Sequence, residues 1–303
     1  MAHDHDHEHV HGRTHEHHHD HGPADVDWSE LAEYLQTQAE LYTPLHEHAL
    51  AWLGGKQSAP GLVVDAGSGP GVVSCMLADA FPGARVVAVD GSAPLLELAR
   101  ARAERLGVAD RFSTLTGELP DVMADLDYPA DLIWASNSLH HLGDQQAAVA
   151  ACAERLAVGG TLALVEGGLP TRFLPRDFGI GRPGLQARLD AVHEDRFARM
   201  RADLPDGVAV PEDWRAMMSA AGLRPTGTRT FLLDLPAPAP DRARAVAAAT
   251  FGRFREMFGD ELDAEDRATL DRLVDPDDKA SVHHRADLFV LAARTVHTAI
   301  RPA

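Results

Sequence analysis

The ten residues Leu62-Val63-Val64-Asp65-Ala66-Gly67-Ser68-Gly69-Pro70-Gly71 constrain this chain more than any others. An apolar run of strand length leads into three glycines at alternate positions, and Val72 to Ala80 follows with its apolar residues on one helical face. Strand, glycine loop and helix in that order form the first unit of a doubly wound α/β sheet, whose ligands sit over the carboxyl ends of the strands. Glycine accepts unusual dihedrals and lets the backbone approach a ligand closely. Pro70, just before the helix, stiffens the loop.

Further units follow. Arg85 to Val89 reads as a second strand, and Asp90 at its end lies 23 residues after Gly67, about where such a domain places an acid for ribose hydroxyls. Ser92 is the expected cap of the next helix, with Pro94 in its first turn. A weak strand over 111–115, a strand over 130–135, a helix over 144–157 and a strand over 161–166 complete an alternation that signals a parallel sheet. The GxGxG spacing, with Asp65 just ahead of it, fits a dinucleotide poorly. A pyrophosphate would be repelled by that carboxylate, whereas an ammonium group would be attracted. The ligand expected is a nucleoside carrying an amino acid.

At these residues the chain resembles the class I S-adenosylmethionine-dependent methyltransferases, particularly their small-molecule branch. Beyond the glycine loop the resemblance rests on Val87-Ala88-Val89-Asp90, on Gly117-Glu118-Leu119 and on Asp131-Leu132-Ile133-Trp134-Ala135-Ser136-Asn137-Ser138-Leu139-His140-His141-Leu142. It continues in Leu156-Ala157-Val158-Gly159-Gly160-Thr161-Leu162, with Val158 where proline is common. It implies a Rossmann-like, mostly parallel α/β sheet closed by an antiparallel hairpin from Thr230–Leu235 and Asp287–Arg294, with a helical N-terminal cap and helical insertions. It also implies S-adenosyl-L-methionine as cofactor. Asp65 and the backbone of Gly67, Gly69 and Gly71 would hold the methionine half, and Asp90 the ribose, with Ser92 or its neighbour Gly91 flanking the ribose or adenine. Glu118 would accept from the adenine amino group, Leu119 would pack beside the ring, and Ser136 would contribute backbone near the sulfonium. His140 and His141 fall where the methyl group should project, and imidazole is the side chain best poised to take a proton near neutral pH. They are the candidate catalytic residues, His140 preferred, for a small-molecule acceptor with an oxygen nucleophile. The competing view of both is that they orient a loop or cap a helix.

Charge narrows the partners. The 303 residues carry 46 Asp and Glu against 28 Lys and Arg, a formal net charge of −18, which disfavours nucleic acid and anionic membrane surfaces. Ser136-Asn137-Ser138-Leu139 stands where base-methylating enzymes carry an Asn/Asp-Pro-Pro-aromatic run, and neither Cys75 nor Cys152 follows a proline. Two cysteines without a CxxC exclude a disulfide-stapled fold, and neither an 18-residue apolar stretch nor a secretory leader is read, so the expectation is cytoplasmic.

Ten of the 18 histidines lie between His3 and His21, interleaved with Asp and Glu. Residues 1–24 are expected to be a disordered tail able to chelate a divalent metal loosely; no structural or catalytic metal site is expected. The methyltransferase domain then spans 25–303, with a helical cap at 25–56, the cofactor core at 57–170 and insertions at 171–215 and 236–286. The first insertion holds Arg172, Arg182, Arg188, Arg196, Arg199 and Arg201. They read either as a mobile lid receiving an acidic acceptor or, preferentially, as a solvated helix face paired with Asp190, Glu194, Asp195 and Asp203. Phe251, Phe254, Met257 and Phe258 in the second are expected mainly in the core, with some facing the acceptor or a second copy in a homodimer. Two rival functions stay open at this point: a cofactor- or metal-binding sensor on the same fold, and an NAD-linked oxidoreductase, against which the glycine spacing argues.

Overall fold

The computed structural model describes residues 28–55, 59–204 and 207–303. The His-rich tail, and any metal it holds, lie outside the described residues.

Five strands run parallel: β1 (Leu62–Ala66), β2 (Arg85–Asp90), β3 (Phe112–Thr116), β4 (Ala130–Ser136) and β5 (Leu156–Arg172). β6 (Arg224–Leu235) and β7 (Val290–Ile300) extend the sheet in the order β3-β2-β1-β4-β5-β7-β6, and β7 is antiparallel to both of its neighbours. The expected closing hairpin is therefore an antiparallel strand pair whose members are separated by the whole second insertion. Both strands are longer than the sequence suggests: no residue of Arg224–Thr230 is buried, so that part of β6 carries no apolar signal, and Thr295–Thr298 buries only alternate residues, Val296 and Thr298.

Alternate residues of the central strands feed two apolar layers, as the two-residue strand repeat requires. Val63, Leu132, Trp134, Ala163 and Val165 face one layer; Val64, Ile133, Ala135, Leu162 and Leu164 face the other. The first layer is covered by α2 (Thr43–Gly54), α3 (Val72–Ala80), α8 (Asp241–Phe258) and α9 (Ala264–Val274), and the second by α5 (Gln145–Glu154) and α7 (Trp214–Ala220). α1 (Trp28–Leu41) precedes α2, and Pro44 sits in the first turn of α2, where its missing N–H costs nothing. α4 (Ala93–Arg105) follows β2, and α6 (Leu185–Asp203) forms the body of the first insertion.

Two local expectations are corrected. Ser92 occupies the N-cap of α4, but its side chain makes no capping bond; its amide instead donates to Asp90. The helix expected to reach residue 157 ends at Glu154, and Leu156-Ala157 opens β5, because Leu156 pairs with Ala130 and is fully buried. Among the described residues no helix is long and apolar enough to cross a membrane.

Candidate active site

The parallel strands end in register: Ala66 lies beside Val89 and Ala135, Asp90 beside Thr116, and Ser136 beside Val165. This shared edge brings Asp65, the glycine loop, Asp90, Gly91, Glu118, Leu119, Ser136 and the two histidines to one side of the molecule. Between β1 and β4 the chain's winding reverses, which is where an open α/β sheet leaves a crevice for a ligand.

The loop after β1 is tied to β2. Gly67 N and Ser68 N both donate to Val89 O, at 2.8 and 2.9 Å, and Gly69 N donates to Asp90 Oδ2 at 2.8 Å. The other oxygen of Asp90 accepts from Ser92 N at 2.9 Å, so one carboxylate braces both the glycine loop and the entry to α4. Gly67 has φ +77°, and a Cβ there would stand 2.4 Å from Ser138 Cβ; no other residue type fits. Gly91 faces the Glu118 carboxylate so closely that a Cβ would lie 2.2 Å from Oε1. Gly71 heads α3 against Ala99. Leu119 is partly buried against the second apolar layer.

Asp65 is 2% exposed and accepts from Ser74 Oγ at 2.5 Å. Burial, reinforced by the nearby Asp90 charge and only partly offset by the Ser74 bond, pushes its carboxyl up to about 7.

Past β4, Asn137 adopts φ +49°, a left-handed conformation uncommon for a side-chain-bearing residue and concentrated at functional turns. Its amide donates to Val165 O at 3.1 Å, and the chain then turns through Leu139–His141. Glu166, 1% exposed at the end of the apolar stretch of β5, organises this turn. Its Oε1 accepts from Ser138 N and Leu139 N at 3.1 and 2.9 Å, and its Oε2 sits 2.7 Å from His140 Nδ1. The His140 and His141 rings are 4.0 Å apart at their centroids, and Phe197 of α6 lies 5.6 Å from each. Loss of water, together with His140, His193 and Arg201 close by, pushes His141 down to about 4. The two histidines are therefore unequal, and His140 is the one held by a carboxylate.

The residues fit the cofactor implied by the loop. Space is open at Gly69, where a Cβ would meet nothing within 4 Å, carboxylates at Asp90 and Glu118 match hydroxyl and amine donors, and Ser68 Oγ is buried in the loop without a hydrogen-bond partner among the described residues. Among the described residues no group of His, Cys, Asp and Glu is arranged to hold a metal ion.

Beyond Phe197, a cavity of about 310 Å³ opens between α1, α6 and α8, lined by Tyr34, Tyr42, His193, Phe251, Arg253, Phe254 and Phe258 among others. His193 stacks on Phe197 with a centroid separation of 6.3 Å, which links the cavity wall to the histidine pair. Phe251 and Phe258 are core residues and cavity walls at once.

The arginines of the first insertion are paired, but mostly not with the acids expected. Arg172 does meet Asp190, at 2.5 Å. Arg188 forms two bonds to Asp266, at 2.6 and 2.7 Å, Arg182 joins Asp263 and Asp266, Arg196 and Arg199 meet Glu261, and Arg201 meets Glu212. Glu194, Asp195 and Asp203 take none of these ion pairs. Most of the partners come from the second insertion, so charge staples the two insertions into one cap.

Sequence reasoning missed Glu166 and the cavity residue Arg253. The signal for Glu166 was a carboxylate closing a fully apolar strand run, a position that demands a partner. Nothing in the sequence placed Arg253 beside Tyr34.

A family model described as a methyltransferase domain matches residues 63–160. A trans-aconitate 2-methyltransferase from Methylobacterium nodulans is 32% identical over 241 residues, covering 73% of this chain and 88% of that protein. One from Paracidovorax citrulli is 37% identical over 141 residues, covering 46% of this chain and 49% of that protein. The chain spans 33% and 49% of the length of the two curated relatives it matches at 37% identity. In the complex between the Haloferax volcanii Trm112 methyltransferase activator and a methyltransferase, one chain superposes with a TM-score of 0.51 at 18% identity, over 92% of this chain and 99% of its own length.

Proposed function

The chain belongs to the class I S-adenosylmethionine-dependent methyltransferases, and on that premise we propose that it methylates an oxygen of a small-molecule acceptor, with His140 as general base. The observation that carries this reading is the carboxylate-backed histidine at the strand edge: Glu166 Oε2 at 2.7 Å from His140 Nδ1. A carboxylate that accepts the Nδ1 proton leaves Nε2 as the basic nitrogen, the arrangement a general base needs. The acidic net charge and the small-molecule names of the relatives support a small acceptor.

Asp90 and Glu118 would hold the ribose and adenine, and the backbone of Gly67 to Gly71 would border the methionine half. When bound, S-adenosylmethionine supplies a methyl group on a sulfonium, whose transfer leaves a neutral thioether. His140 takes the proton from the acceptor hydroxyl, Glu166 keeps the imidazole in the productive tautomer, and the stapled insertions exclude water. A screen of hydroxyl, carboxyl and amine acceptors, read by mass increase of one methyl group, tests the reading. Oxygen acceptors modified by the wild type and lost in His140→Ala support it; transfer confined to amines, or undiminished in the variant, contradicts it.

A further inference from the structure

We infer that the cavity between α1, α6 and α8 is the acceptor's seat, and that it selects a flat, apolar acceptor carrying a single anionic group, which Arg253 receives. This rests on the methyltransferase reading above and deepens it. Four of the ten phenylalanines and two of the three tyrosines line this one cavity, in a chain with only 6% aromatic residues. Phe254 and Phe258 stand 5.3 Å apart at their centroids, and His193 meets both edge-on at 6.1 and 5.8 Å. Such a wall offers π-faces and edges that a flat ring matches at favourable geometry. A volume of about 310 Å³ suits a small ligand.

The charges in the wall are asymmetric. Asp190 is neutralised by Arg172 at 2.5 Å. Arg253 rests on the Tyr34 ring, 5.0 Å from its centroid, and among the described residues it makes no carboxylate ion pair. It contrasts with the arginines of α6, which are committed to acids of the cap. A partly buried guanidinium backed by an aromatic face is a receptor for one carboxylate or phosphate. The Tyr34 hydroxyl, which accepts from Gln38 Nε2 at 2.9 Å, adds a polar group beside it. His193 in the cavity wall stacks on Phe197 at 6.3 Å, and Phe197 lies 5.6 Å from His140, so a run of rings connects the seat to the base.

A tricarboxylate fits this seat badly. One guanidinium would answer three charges, and each uncompensated ion in an aromatic enclosure loses its hydration without a partner to replace it. The seat therefore departs from what the names of the relatives would suggest for the acceptor.

Calorimetry on the full chain tests this, first with S-adenosylhomocysteine and then, on the loaded protein, with 4-hydroxycinnamate, 4-hydroxybenzoate, the uncharged 4-hydroxycinnamamide and trans-aconitate. Expected is binding of at least one hydroxylated aromatic monocarboxylate more tightly than trans-aconitate. Arg253→Gln should weaken it tenfold to a hundredfold, as losing a charged hydrogen bond implies, while Arg253→Lys recovers part of the affinity. The amide should be indifferent to Arg253→Gln, and cofactor affinity should be unchanged in both variants. Tighter binding of trans-aconitate, no binding of either aromatic acid, or equal affinity in wild type and Arg253→Gln would overturn the inference alone. Failure of S-adenosylhomocysteine to bind would instead remove the methyltransferase reading beneath it.

Discussion

Glu166, where the apolar stretch of β5 ends, holds His140, beyond the end of β4, through a 2.7 Å contact between Oε2 and Nδ1, and its second oxygen fixes the two amides that precede the histidine. One buried carboxylate thus sets both the backbone turn and the ring of the candidate base. Two neighbouring strands, paired in register through Ser136 and Val165, are what make that geometry rigid.

Glu166→Gln separates these duties. The glutamine oxygen can still accept from Ser138 N and Leu139 N, but its amide presents a donor to His140 Nδ1 and moves the proton to Nε2. We expect kcat to fall by about 10²–10⁴, the usual worth of a general base, with cofactor affinity and melting temperature unchanged. A purely structural role would instead lower the melting temperature and leave the pH–rate profile alone. His140→Ala should match the loss in kcat, and the double variant should be no worse than either single one.

Asp266 tests the stapled cap. It is 3% exposed and takes bonds from both Arg188 and Arg182, while its own amide is capped by Asp263. Removing one partner of a buried pair strands the other charges and costs about 3–5 kcal/mol; with the two arginines here partly exposed, the lower part of that range applies. Asp266→Ala should lower the melting temperature and raise the acceptor KM, with the cofactor Kd within twofold of wild type. An unaltered acceptor KM in a destabilised protein would show that the cap does not shape the acceptor site.

Asp65 makes stability depend on pH with a definite sign. Its carboxyl ionises near 3.8 when unfolded and near 7 when folded. The folded state therefore holds the proton more tightly. The resulting stabilisation is complete below about pH 4, fades between 4 and 7, and is gone above 7. Buried His46, pushed down to about 4 chiefly by burial and secondarily by Arg294, acts oppositely: its contribution is full above pH 6.5 and lost as pH falls toward 4. The two slopes oppose each other between pH 4 and 6.5. The neutral isostere Asp65→Asn removes one of them. In thermal melts of cofactor-free protein, wild type minus Asp65→Asn should fall steadily from pH 4 to 7 and level off above. A difference independent of pH would contradict the burial assigned to Asp65.

The doubly wound core was legible because its signals are local. Val63 and Val64 alternate between two apolar layers, Gly67 sits where only glycine fits, and Asp90 ends a strand, all within thirty residues. The length of β5 was not legible: the strand was expected over 161–166 only, yet Gly160 lies within it, where a Cβ would meet Ala130 O at 2.8 Å. Partners distant in sequence were illegible for a different reason. Arg188 and Asp266 are 78 residues apart, and composition alone offered nearer acids such as Glu194 and Asp195. The cavity likewise joins α1 to α8 across more than two hundred residues, and no periodicity in either helix encodes that meeting.

The most direct test of the cofactor site is calorimetric titration of S-adenosylmethionine into wild type and Asp90→Ala. Asp90 braces Gly69 N and Ser92 N and lies where the ribose hydroxyls belong, so its loss removes hydrogen bonds of a charged group and loosens the loop. Binding by the wild type, with affinity weakened about a hundredfold in the variant, is the predicted result. Equal affinity in the two proteins would contradict the placement of the cofactor at the carboxyl edge of β1 and β2.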